Sequence, residues 1–440
     1  MPDSQPSTQD AAAWPSPSAG WTAAGVLALA SMVSQADRTV LSLMAGPVKE
    51  AFTLSDTAFS LLHSVAFGVF YVLACIPLGR LVDRHPRRLV LAACMAFFSL
   101  FAMASGLVRS YAQLFLMRIG VGIGEASVTP AAFSMLSDSF PPQRLGRPIG
   151  VFLMSAPFGQ GLTLIAGGGL LQWLSTSDVL RSGPFSGLDP WQVAFILIGF
   201  PGLLLVPALL LLREPPRRAA ANAKPLSVSE VMQVIRDRGA ALLPLFMGFA
   251  LVMVVLNAMA LWTPATLERT YGLDKAQQGL AYGLLLLVCG TAGAFFSGWF
   301  ADRLAQRGAQ DAPLKVAGYS FLGCGVLTVA AVLMPSVELM LLCLAPAVFL
   351  STMPVPATGT AIQLIVPSLA RGQVSALYIM WSSLVGVLLG PVLVGLLNDL
   401  DLPIRYSMAI VVGMPVPVMF WLYMRARRPY CALRAAGAAG

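Results

Sequence analysis

GRLVDRHPRR, residues 79–88, closes one apolar run, and a version of it returns as GWFADRLAQRG at residues 298–308. Gly79, Asp83 and Arg84 each have a counterpart 219 residues later, at Gly298, Asp302 and Arg303. A loop repeated at that distance implies a duplicated unit of about half the chain, and the residues around the loop say what the unit is made of.

They are apolar. Of 440 residues, 57% are hydrophobic and 11% charged, with a mean hydropathy of +0.77. Soluble domains carry roughly 25% charged residues, so this chain could not cover a water-facing surface and must reside in a membrane. Its net charge of +8 comes from short basic clusters between apolar runs. They are not interleaved with aromatics on one patch, which argues against nucleic acid as a partner.

A spanning helix needs roughly 20 mostly apolar residues. Twelve stretches qualify: 22–46, 57–81, 88–107, 112–136, 147–173, 192–212, 241–266, 276–300, 313–334, 338–366, 372–397 and 404–425. The expected fold class is therefore all-α integral membrane, with twelve transmembrane helices in two pseudo-symmetric six-helix bundles around a central cavity. The expected domains are a disordered cytoplasmic tail (1–20), an N-terminal bundle (21–213), a cytoplasmic linker (214–240), a C-terminal bundle (241–426) and a cytoplasmic C-terminal tail (427–440).

The clusters RHPRR (84–88), PPQRLGR (141–147) and RARR (425–428) fall on one side if both termini are cytoplasmic, while KEAFTLSD (49–56) and NDLDLP (398–403) face the other way. The positive-inside rule then gives a multi-pass protein of the plasma or inner membrane with both termini inside.

Two six-helix halves joined by a basic linker are the parallel-repeat plan of rocker-switch transporters. The loop pattern G-x-x-x-D-R-x-x-R-R resembles the marker of the major facilitator superfamily over about residues 20–430. In that frame Asp83 would face the start of the eleventh span near Arg371, and Asp302 the start of the fifth near Gly150. A carboxylate is held at a helix N-terminus by the free amides and the dipole. Gly79, Asp83, Arg84, Arg88, Gly298, Asp302 and Arg303 are thus expected to form a cytoplasmic gate; the blander alternative is that these charges only fix topology.

An ionisable group near mid-bilayer is costly unless paired or wet. Asp37 and Arg38 lie in the first span, Arg118 and Glu125 in the fourth. At 1.5 Å per residue, Arg118 lies about 9 Å, Asp37 about 13 Å and Glu125 about 20 Å below the outer surface. Burial favours a neutral acid and a neighbouring guanidinium favours the carboxylate, so either acid could take a proton near physiological pH. Arg118, released, could pair with a phosphate or carboxylate on a substrate. Arg38 points about 100° away from Asp37, where span four's carboxylates or a packing partner are within its reach, and it ranks second, as does His63, two turns into the second span. The alternative is a static ion pair that positions helices.

The Gly120–Gly124 run looks like a nucleotide loop, but no strand precedes it and it lies within a span; a helix-packing seam is the better reading. The six cysteines (Cys75, Cys94, Cys289, Cys324, Cys343 and Cys431) show no metal or redox spacing, and there are two histidines. No metal, cofactor, catalytic residue or Walker loop is expected, and the chain is not expected to be an enzyme.

ADRTVLSLMAGPVKEAFTLSDTAFSLLHSVAF (36–67) and RIGVGIGEASVTPAAFSMLSDSF (118–140), with the 79–88 loop, resemble the Spinster family of lipid transporters. That resemblance implies alternating access, proton coupling and lysolipid transport, with Asp37, Arg118 and Glu125 as the coupling and headgroup cluster. Met and aromatic residues in the C-terminal half, among them Trp262, Tyr282, Tyr378 and Trp381, suggest an apolar cavity wall. The expected partners are a small amphipathic or anionic substrate, protons and membrane lipid, with the chain a monomer. A drug or small organic anion transporter of the same fold is the near alternative; a non-transporting sensor or scaffold is the distant one.

Overall fold

The computed structural model describes residues 14–141, 144–177, 180, 185–217, 227–367 and 369–438. Residues 1–13 of the expected tail and 218–226 of the expected linker lie outside the described residues.

Among the described residues, eleven helices are long and apolar enough to cross a membrane. They are Asp56–Arg84, Arg87–Leu107, Tyr111–Ser139, Gly146–Thr176, Pro190–Leu211, Gly239–Tyr271, Lys275–Gln306, Ala312–Leu333, Val337–Ile365, Arg371–Asp399 and Ile404–Ala436. Pro17–Leu43, 27 residues long with Asp37 and Arg38 inside its apolar run, completes the set of twelve. We call these spans one to twelve in chain order. Helix starts at Pro17, inside the expected tail, and reaches Ala438 at the far end. The late ending has a cause: Arg427 pairs with Asp311, and Arg434 donates to the Gln310 carbonyl at 2.9 Å.

The duplication is visible in the helix irregularities. Span two is π-helical over Leu62–Val69 and span eight over Leu285–Gly290. Spans four and ten both break near their middles, after segments of 15 residues (Tyr111–Glu125) and 16 residues (Val337–Thr352). Wide or broken turns inside otherwise regular helices often mark functional sites.

The halves meet tightly at the end away from the basic loops. There spans five and eight touch backbone to backbone: a Cβ on Gly279 would lie 2.1 Å from the Leu164 carbonyl oxygen, and one on Gly168 2.4 Å from that of Lys275. Asp56, at the start of span two, accepts from Arg269 of span seven at 2.5 and 2.9 Å and from Asn398 of span eleven at 2.8 Å, and it also pairs with Lys49. Asp399 in turn accepts from the Asp56 and Thr57 amides at 2.8 and 2.9 Å. Polar contacts across the halves and backbone contacts at glycines together form a seal that holds this end closed.

At the basic end the halves part. Gly79, Gly150, Gly298 and Gly372 have nothing within 4 Å of where a Cβ would sit. Asp83, Arg84 and Asp302 are exposed, as is Arg303, whose guanidinium lies over Trp299 at 5.4 Å. The expected contacts of Asp83 and Asp302 with spans eleven and five are therefore not made in this conformation. Arg88 does a different job. Its guanidinium donates to the Leu210 and Leu212 carbonyls at 3.1 and 3.0 Å, so it secures the end of span six within its own half. Its neighbour Arg87, buried, pairs with Asp138 and donates to Glu214 at 2.7 Å.

Candidate functional site

Spans one and four run antiparallel through the middle of the N-terminal half, which sets Asp37 opposite Arg118 and Ser34 opposite Glu125. Two ion pairs result. Arg118 Nη1 donates to Asp37 Oδ2 at 2.6 Å, and Arg38 donates to Glu125 Oε2 through Nε at 2.7 Å and Nη2 at 2.5 Å. Ser34 Oγ gives Glu125 Oε2 a further hydrogen bond at 2.9 Å. The four charges predicted from the sequence are thus brought together, but not as one cluster around Arg118. Glu125 belongs to Arg38, the residue ranked second, because the one-residue turn of span one that aims Asp37 at Arg118 aims Arg38 at the far turn of span four.

The two pairs differ in access. The Arg118 side chain is 0% exposed and that of Asp37 2%, whereas Arg38 is 26% exposed beside a fully buried Glu125. Glu125 Oε1 and Asp37 Oδ1 are buried without a hydrogen-bond partner, as are Arg118 Nε and Nη2. Glu125 ends the first segment of span four, where the helix breaks. Span four can come this close because of its glycines: Gly120 and Gly124 pack on Phe101 and Phe98 of span three, and Gly122 lies against the backbone of Phe67.

Arg38 opens onto a cavity of about 130 Å³ lined by residues of both halves. Its polar lining is Gln35, Arg38, Thr39, His63, Gln160, Asn257 and Tyr282; its apolar lining includes Phe67, Leu164, Leu261, Leu286 and Val387. Arg38 is the one cation among these described residues. His63, on the π-helical turn of span two, is buried, and its Nδ1 has no partner.

Of the four aromatic residues expected on the cavity wall, Tyr282 lines it. Trp262 does not: it is fully buried, donates to the Pro391 carbonyl at 3.0 Å and packs edge-on to Phe59, as part of the seal. Tyr378 is buried against Phe246 and Phe249, and Trp381 is exposed and lines no cavity wall described here. Sequence reasoning passed over Gln35, Thr39, Phe67 and Gln160. The signal was present for some of them: Gln35 lies three residues before Arg38 and four before Thr39, spacings that meet on a helix, and His63, Phe67 and Tyr71 recur every four residues.

A family model described as Major Facilitator Superfamily matches residues 27–388. An "MFS-type efflux pump" of Mycolicibacterium smegmatis is 31% identical over 394 residues, covering 87% of this chain and 85% of that protein. A "Probable L-galactonate transporter" of Escherichia coli is 30% identical over 309 residues, 67% of this chain and 64% of that one. Among solved structures, a bacterial homolog of the human lysosomal transporter Spinster, inward-facing and unoccupied, superposes with a TM-score of 0.73 at 23% identity, covering 96% of this chain and 98% of that one.

Proposed function

This chain belongs to the major facilitator superfamily of membrane transporters, and from that premise we propose that it is Spinster-like and couples the movement of an organic anion to protons by alternating access. The observation that carries the reading is the Arg38–Glu125 pair, with its cation at the cavity wall and its carboxylate sealed behind. Protonated at Oε1, Glu125 no longer neutralises Arg38. The guanidinium, charged at any physiological pH, then takes a carboxylate or phosphate of the substrate in its place. Proton and substrate therefore load together and leave together. Arg118 and Asp37, wholly buried, hold spans one and four in register for this exchange.

The substrate is read as an amphipathic anion, lysophospholipid-like, with its head at Arg38 and its apolar part against Leu164, Leu261, Leu286 and Val387. A second reading has its own support. The amides of Gln35, Gln160 and Asn257 around so small a space suit the hydroxyls of a compact sugar acid. With the basic loops cytoplasmic, the open end faces inward and the protein sits in the inner membrane. The test is uptake and efflux in proteoliposomes with an imposed pH gradient, offering lysophosphatidylglycerol and L-galactonate separately. Gradient-dependent accumulation of one and not the other decides between the two readings; accumulation of either that ignores the gradient refutes the coupling.

A further inference from the structure

We propose that Phe67, backed by Tyr71, is a positioning residue that keeps Arg38 at the cavity wall once Glu125 has let it go. This rests on the reading of Arg38 and Glu125 as the coupling pair. If Glu125 takes a proton, Arg38 is left without a counter-ion in a place where an unheld guanidinium would swing toward water. Asp37 already neutralises Arg118, from which its Oδ2 accepts at 2.6 Å, so it supplies no second counter-charge.

The aromatic residues of span two are placed to hold it. The guanidinium carbon of Arg38 lies 4.5 Å from the ring centre of Phe67 and 4.7 Å from that of Tyr71, within cation–π range. His63, Phe67 and Tyr71 form a stacked ladder, with centroids 6.4 and 5.7 Å apart and planes 26° and 22° from parallel. Phe67 also meets Arg118, at 5.8 Å, so one ring touches the cations of both ion pairs. It is 2% exposed, and such attraction strengthens as water is excluded. The titratable and charged groups against this ring are Arg38 from span one, His63 and Tyr71 from span two, and Arg118 from span four; Asp37 and Glu125 pair with the two arginines, and Cys75 lies a further turn along span two.

The backbone is built for this placement. Phe67 lies in the π-helical stretch Leu62–Val69, and a Cβ on Gly122 would stand 2.5 Å from its carbonyl oxygen. The middle glycine of the RIGVGIGE stretch thus lets span four approach the widened turn that presents the ring.

The experiment alters the ring's charge distribution and not its size. 3,4,5-Trifluorophenylalanine at position 67 removes most of the negative potential of the ring face. The full chain carrying it is compared with the unmodified chain, each with and without Glu125→Gln, by the rate at which phenylglyoxal modifies Arg38, read by mass spectrometry. The fluorinated ring should change the rate less than twofold while Glu125 holds Arg38. In the Glu125→Gln background it should raise the rate about tenfold, with Phe67→Leu behaving like the fluorinated ring and Phe67→Trp like the native one. A rate in that background that stays within twofold on fluorination overturns the proposal. Failure of the coupling reading shows elsewhere, as proton-gradient-driven uptake that survives Glu125→Gln, whatever the ring does.

Discussion

Gly279→Ala should tip this transporter out of the conformation described here. The new methyl would sit 2.1 Å from the Leu164 carbonyl oxygen, where ordinary contact begins near 3.4 Å, so spans five and eight must separate by more than 1 Å. The opposing atom is backbone and cannot rotate away. Forcing a methyl into such packing costs about 1–3 kcal/mol. The helix-propensity gain of alanine over glycine is the same whichever end is closed, so it cancels from the equilibrium between the two states. The sealed state should therefore lose roughly 5- to 150-fold in population relative to the state opened at that end. Gly298→Ala, at the parted end, meets nothing within 4 Å and should leave the sealed state unpenalised. Spin labels on the exposed residues Glu50 and Tyr406, one in each half, report the seal by pulsed electron resonance. The Gly279→Ala distribution should shift to longer distances. Identical distributions for Gly279→Ala and the unmodified chain would refute the argument that backbone contact at this seam sets the closed state.

Removing Arg118 and removing Arg38 should have different consequences. Arg118→Ala leaves Asp37 buried and unpaired and should lower unfolding stability by about 3–5 kcal/mol, seen as a fall in melting temperature in detergent. Arg38→Ala, partly exposed in the cavity, should cost less stability yet abolish anion binding, measured by tryptophan quenching or isothermal titration with the transported substrate. Outside the membrane, burial favours the protonated form of Glu214, but the hydrogen bonds from Arg87 and the Arg88 and Arg87 amides outweigh it and hold the carboxyl below its ordinary 4.5. The folded value is depressed, so this group's contribution is complete above about pH 4.5 and is lost as pH falls through the folded value. Glu214→Gln should therefore cost about 1–2 kcal/mol at pH 7, since Arg87 keeps Asp138, and progressively less as pH falls below about 4.5.

The twelve helices were legible in the sequence because hydrocarbon thickness imposes a length and charge marks the ends. The reading 338–366 met Val337–Ile365, and 88–107 met Arg87–Leu107. The charged site was legible as a set of residues for the same reason: charges in an apolar run must find one another. Which charge meets which was not. Asp37 and Arg38 are neighbours, and their partners are fixed by the rotation of span one against a helix about 80 positions away, a tertiary quantity that composition does not encode. The π-helical turn over Leu62–Val69 carries no propensity signal, so the widened backbone was not legible, although His63 was a candidate and the four-residue recurrence of His63, Phe67 and Tyr71 was present. Trp262 shows the converse. An aromatic residue at cavity depth can face a wall or a seal, and only the partner at Pro391 decides.

The central claim is that a proton on Glu125 and an anion on Arg38 replace one ion pair. Linkage makes it measurable without a membrane: substrate is added to purified protein in weak buffer across pH 5 to 9, and the protons taken up are counted with an indicator dye. The account predicts net uptake approaching one proton per bound anion where Glu125 starts ionised, and none at any pH for Glu125→Gln, which should bind the anion with pH-independent affinity. Proton uptake of the same size in Glu125→Gln would contradict it.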